Sequence, residues 1–370
     1  MIRTISLVVL GISITLGSSW AESQAATARS ADWDQKAAAR YLDNRANWWK
    51  NWSVSDRDHD TSCASCHTTV PYALARPTLR AALGESFATY PETELEDDVS
   101  KRVALWNEIG PYYPDQSVGL PKTSESRGVE SILNALVLAN RDALQGHLSA
   151  ETKKAFENLW NLQFTRGEGK GAWAWLYFDL APWESAGAAY FGAALAAIAV
   201  GIAPDEYASS TEIEDQLGML REYLLENYAE RSAFDRVMLL WASSELSGLL
   251  TEEQRRPIVD GILSMQNNDG GWSLTAMGSW EREDGYLPPP GSDAYATGLI
   301  AFALQKSGVS PDQQNLREAL DWLVKNQDPN EGYWYASSLN KQHEPGSERR
   351  LMLTDAATAF AVLALTYADL

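Results

Sequence analysis

The 370-residue chain carries 50 acidic against 30 basic residues, a formal net charge of −20 and a sequence pI near 4.6. Such a surface repels phosphate backbones and anionic lipid headgroups, which excludes nucleic acid and acidic membranes as partners. Hydrophobic residues make up 45% of the chain, enough for a sizeable core, and 15 tryptophans stand beside 15 tyrosines; such rings fill helical cores, line apolar cavities or stack on sugars.

The chain opens Met1-Ile2-Arg3, runs apolar from Ile5 to Leu16 and reaches Ser19-Trp20-Ala21. A basic start, a short apolar run and small residues at −3 and −1 describe a secretory leader over residues 1–21, too short for a membrane span. The expectation is a mature chain 22–370 forming one domain, periplasmic or secreted, with no stable membrane insertion once the leader is gone.

An outer helix is expected at 34–52. Behind it Cys63-Ala64-Ser65-Cys66-His67 holds the only two cysteines. The spacing is that of haem c attachment, two thioethers with the histidine as an axial iron ligand. A local disulfide between Cys63 and Cys66, or zinc with His59 added to the set, are the other readings. Around a haem, His343 is the preferred second axial ligand, with Met265 and Met277 as alternatives.

From His67 onward the chain alternates two kinds of segment. Small, apolar stretches recur at 67–83, 128–140, 185–202, 233–246, 294–306 and 356–368. Amphipathic stretches with helical spacing separate them at 93–109, 150–163, 211–228, 251–266 and 312–327. With the segment at 34–52 this makes six helix pairs, and the Ala/Gly-rich members suit an inner ring whose helices approach closely. The expected fold is an all-α, closed α6/α6 toroid.

Two inter-helix loops share residues as well as spacing: Gln266-Asn267-Asn268-Asp269-Gly270-Gly271-Trp272, and Gln327-Asp328-Pro329-Asn330-Glu331-Gly332-Tyr333-Trp334. Gln163 with Gly171-Ala172-Trp173 is a looser third copy. These residues resemble the QW repeats of the squalene–hopene cyclase and protein prenyltransferase superfamily, and the resemblance implies a terpenoid-cyclase-like toroid. The acidic motif of the bacterial cyclases has its nearest string in Leu95-Glu96-Asp97-Asp98, where acids at a helix start complement the dipole.

The starts of the inner helices bring Glu125, Glu184, Asp235, Asp293 and Asp355 toward one mouth. Among them Glu184 and Asp235 are the candidate acid–base pair. The aromatic run 171–185 offers Trp173, Trp175 and Trp183 as a substrate wall, and the insertion at 277–298 is expected to form a lid. The leading expectation is an exported toroid with covalent haem c in redox chemistry or electron transfer. It would have a periplasmic redox partner and act on a bulky hydrophobic, terpenoid-like molecule. The alternative is a carbohydrate-active lyase or hydrolase binding oligosaccharide through the acidic mouth, and a third is a non-catalytic binding protein.

Overall fold

The computed structural model describes residues 33–287 and 289–369; the leader at 1–21 lies outside them. Among the described residues twelve helices of ten or more residues follow one another: α1 (Gln35–Asn51), α2 (Thr69–Ala82), α3 (Tyr90–Ala104), α4 (Lys122–Gln145), α5 (Ala150–Trp160), α6 (Ala189–Ile202), α7 (Glu214–Asn227), α8 (Ala233–Glu245), α9 (Glu252–Ser264), α10 (Ala294–Lys306), α11 (Gln314–Lys325) and α12 (Met352–Ala368). Many start where the chain supplies a cap. Asp34 accepts from the amide of Ala37 at 2.8 Å, and Thr89 with Glu92 and Thr251 with Gln254 form capping boxes. An antiparallel ribbon, β1 (Asp56–Arg57) with β2 (Thr61–Ser62), precedes the cysteines.

The even-numbered helices form a closed ring, each packing on the next from α2 through α12, and α12 returning to α2. The odd-numbered helices pack outside them, so the architecture is an α/α toroid with six inner and six outer helices among the described residues. Small residues set the inner spacing. A Cβ on Gly298 of α10 would stand 2.8 Å from the amide nitrogen of Ala361 on α12. The stretch Glu348–Ala368 is long and apolar enough to cross a membrane by composition, yet it is largely buried as an inner wall of the ring.

The helix α4 begins at Lys122 rather than at 128, because its first turns are polar. Lys122 pairs with Glu125 at 2.6 Å, and buried Ser126 exchanges hydrogen bonds with the backbone of Tyr113. An apolar-run reading passes over such turns.

The Gln–Gly–Trp loops are stitches between neighbouring repeats. In each, the glutamine amide donates to a loop glycine carbonyl and to the next outer helix or its cap: Gln163 to Gly171 and Gln216, Gln266 to Gly270 and Asn315, Gln327 to Gly332 and Asp34. The indole of each loop donates to a carbonyl in the last turn of the preceding outer helix, Trp173 to Leu159, Trp272 to Ile262 and Trp334 to Leu323. The looser copy at Gln163 therefore makes the same Nε2 and indole bonds as the other two, but its Oε1 lacks the partner that Asn315 gives Gln266 and Asp34 gives Gln327.

Candidate functional site

Alternation of outer and inner helices makes all six inner helices start at one end of the ring. Five of the six connections entering them, 52–68, 105–121, 161–188, 265–293 and 326–351, are long, and with the short 228–232 they build a mouth there. Six helix N-termini give that end a positive dipole character. Several of its acids serve as structural partners. Asp293 caps α10 by accepting from the amide of Tyr295 at 2.8 Å, and also takes the amide of Ser337. Asp355 is fully buried and gathers Arg45, Tyr41 and Thr68 at 2.7–3.0 Å, joining α1, α2 and α12. Glu125 pairs with Lys122.

The mouth holds a cleft and a chamber, which meet at Ala181. The cleft has a volume of about 470 Å³ and is lined by Asp179, Glu230, Arg231, Asp235, Trp280 and Glu281, among others. Asp235 lies in the first turn of α8, whose N-cap Ser232 accepts from the Asp235 amide. Burial pushes its carboxyl up to about 6 against the opposing pull of Arg231. Asp179, Glu230 and Glu281 are exposed by comparison. Asp179 sits in left-handed backbone at φ 58, a conformation that Asp tolerates better than most residues. One desolvated carboxyl facing solvated ones is an arrangement suited to general acid–base work.

The chamber, about 250 Å³, is lined by Cys63, Cys66, His67 and Glu184, by Trp49, Trp52 and Trp183, and by Arg57, His343, Arg349 and Arg350. A tight turn, with Leu180 and Glu184 bonded through their backbones at 2.8 Å, presents Trp183 and Glu184. Trp183 is fixed on both sides: its carbonyl accepts from Trp175 and its indole donates to Tyr295. Burial pushes Glu184 up to about 7, with Lys122 pulling the other way.

His67 touches Thr68 through Nδ1 at 2.8 Å, and Thr68 gives its own hydrogen to Asp355 at 2.7 Å. Thr68 thus accepts from Nδ1–H, and the Nε2 of His67 carries a lone pair. Burial, helped by Arg45, pushes His67 down to about 3, so the ring is neutral at ordinary pH. Burial likewise pushes the Cys63 thiol up to about 11 and raises that of Cys66.

The structure therefore separates the expected catalytic pair. Glu184 lines the chamber and Asp235 the cleft. It brings His343 into the chamber with His67. Of the expected substrate wall, Trp183 alone lines either space. Trp173 is 1% exposed and belongs to a repeat stitch, and Trp175 packs over Gly192 in the core. Met277 is fully buried. The insertion at 277–298 contributes Trp280 and Glu281 to the wall of the cleft. Among the described residues, no three His, Cys, Asp or Glu side chains converge in a metal-binding arrangement, so the zinc set of His59, Cys63, Cys66 and His67 is not built. Sequence reasoning missed Asp179, Glu230 and Glu281, as well as the arginines of the chamber; they lie on separate loops, and no local pattern marks them.

No protein-family model matches the sequence, and no curated protein matches it. Among solved structures the chain is similar to a polysaccharide lyase, at 12% identity and TM-score 0.52 over 90% of this chain and 96% of that one. It is similar to the α-1,6-mannanase GH76A of Salegentibacter sp. HEL1_6, an inactive variant lacking two aspartates and bound to α-1,6-mannotetrose. There the identity is 12% and the TM-score 0.54, over 90% of this chain and 99% of that one. A glycosidase variant with one glutamate replaced by alanine matches at 11% and TM-score 0.51, over 90% and 97%. At such identities the likeness carries the α/α-toroid fold.

These likenesses correct two expectations. The squalene–hopene cyclase and prenyltransferase resemblance drawn from the Gln–Gly–Trp loops gives way to toroids of carbohydrate-active enzymes. The physical reason is that the loops tie helix ends to the next repeat, a packing task that a ring of helix pairs poses whatever its chemistry. The electron-transfer reading built on Cys63, Cys66 and His67 gives way with it. Both cysteines are wall groups kept protonated by burial, and His67 is flanked by Trp49 and Trp183 at ring-centroid distances of 4.9 and 5.9 Å.

Proposed function

We propose that this chain is an exported carbohydrate-active enzyme, a hydrolase or lyase that takes an oligosaccharide across the mouth of the toroid. One observation carries the reading: two carboxyls with raised pKa, buried Asp235 at about 6 and half-buried Glu184 at about 7, line adjoining spaces at the same mouth, one with Trp280 in its wall and the other with Trp49, Trp52 and Trp183. Indoles offer apolar faces for sugar rings, and carboxyls that keep a proton near neutral pH can deliver it to a departing oxygen. In the cleft, Asp235 is the proton donor and an exposed acid, Asp179, Glu230 or Glu281, is the base. The resemblance in fold to a polysaccharide lyase and to a mannanase bound to mannotetrose supports the substrate class. Export rests on the leader at 1–21.

The test is a screen of neutral and acidic oligosaccharides for reducing-end release and for unsaturated products, with Asp235→Asn and Glu184→Gln beside wild type. The reading requires turnover of at least one saccharide and its loss in Asp235→Asn with folding intact. A wild-type protein inert on the whole panel would sink it.

A further inference from the structure

The chamber beside the cleft has a charge that the molecule as a whole does not. In a chain of net charge −20, Arg57, Arg349 and Arg350 line it together with a single acid, Glu184. Among the described residues none of the three arginines forms an ion pair, whereas Arg45, Arg76 and Arg102 are each held by a carboxylate. Arg57 gives Nη1 to the carbonyls of Val54 and Asp56, but its Nε is buried without a partner. Its guanidinium lies 4.8 Å over Tyr113, and that of Arg349 lies 4.9 Å over Trp52. Stacking of this kind fixes the plane of a fork, and the other side-chain partners of these groups are uncharged, Tyr113 for Arg57 and Tyr333 for Arg350.

The remaining lining does not cancel this charge. His67 and His343 are pushed toward the neutral form, chiefly by burial, and burial leaves Glu184 only about half ionised at neutral pH, one partial negative charge against three guanidiniums. The N-termini of α2 and α12 open toward the same place and add positive dipole ends. Trp49, Trp52 and Trp183 supply flat apolar walls. A neutral sugar gives three guanidiniums nothing to pair with. A carboxylate matches their forks, in pairwise geometry and in charge.

We propose that the chamber is a subsite for an acidic sugar, a uronate-type residue whose carboxylate is held by Arg349, Arg350 and Arg57 while its ring lies among the indoles. The inference rests on the carbohydrate-active reading and narrows its substrate class. It also explains how an acidic protein takes an anionic chain: at about 8–10 Å of screening in physiological salt, the local arginines outweigh the distant surface acids.

The test compares two ligands on the full-length, processed protein: a uronate trisaccharide and the same trisaccharide with its carboxylates reduced to alcohols. Binding is followed by tryptophan fluorescence and calorimetry. The expected result is at least tenfold tighter binding of the acidic trimer, weakening as salt is raised, and loss of that preference in Arg349→Ala/Arg350→Ala. The wild-type comparison needs no variant, so a double variant that fails to fold leaves the test standing. Equal affinity for both trimers, preference for the reduced one, or binding of neither overturns the subsite. A covalent haem signal in the purified protein overturns it too, because a porphyrin with its own carboxylates would then fill the chamber. Turnover of neutral saccharides without acidic preference defeats this inference and leaves the enzyme reading intact; acidic preference without turnover of any saccharide does the reverse.

Discussion

Gln327 holds Asp34 by both halves of its backbone. The side-chain Nε2 donates to the Asp34 carbonyl at 3.0 Å, and Oε1 accepts the Asp34 amide at 2.7 Å, across 293 positions of sequence. The same Nε2 donates to the Gly332 carbonyl at 2.9 Å. The stitch that elsewhere joins one repeat to the next here joins the last repeat to the first helix, and so closes the ring. Gln327→Ala removes three hydrogen bonds, two of them across a seam that covalent connectivity does not support. We expect a loss of about 1–3 kcal/mol in urea unfolding, and earlier hydrogen exchange in α1 than in α7.

Gly332 lies in the same loop at φ 81, and a Cβ there would stand 2.5 Å from Ala37 of α1. Gly346 has φ 111 with open space around it. Gly346→Ala is expected to cost about 1–2 kcal/mol from backbone conformation alone. Gly332→Ala must add the clash with α1. Thermal unfolding of the two variants should therefore rank Gly332→Ala clearly lower; equal melting points would show that the approach of α1 to this loop is looser than described.

Glu184 carries a pH signature. Its folded pKa of about 7 lies above the ordinary 4.5, so stability attributable to it is complete below 4.5 and is lost as pH rises through 7. Wild type should therefore weaken between pH 4.5 and pH 8 relative to Glu184→Gln. At pH 8 the variant is expected to be more stable by roughly 1–3 kcal/mol. Denaturant titrations of both proteins at pH 4.5 and pH 8 check the sign as well as the size.

Asp235 is the acid whose loss should stop turnover. Asp235→Asn keeps the size and the Ser232 cap of α8, so the melting temperature should change little while kcat falls about 10²–10⁴-fold. In wild type the alkaline limb of kcat/KM should follow a group near pH 6 in the free enzyme, since Asp235 must hold its proton to donate it. A limb that stays in the Asp235→Asn variant would assign the titration to another residue.

The helices were legible because their determinants are local. The period of apolar residues and the Gln–Gly–Trp spacing lie within one or two turns of what they specify. Where polar turns open a helix, as at Lys122, local reading began too late. The stitches were legible as a pattern but misleading as a family mark, since the Nε2 bonds shared by Gln163, Gln266 and Gln327 tie one repeat to the next rather than serve chemistry.

What the sequence by itself determined is the sequence of helix pairs and hence a ring with one acidic, aromatic mouth. Only the tertiary structure decided which aromatic faces a cavity, Trp183, and which fills the core, Trp173. It alone placed Glu184 and Asp235 in adjoining spaces, and set Arg57 beside Arg349 and Arg350 from loops nearly 300 residues apart. The physical reason is closure. Loops entering the inner helices are drawn together only when α12 packs on α2, and the chemistry of the mouth is the product of that one long-range contact.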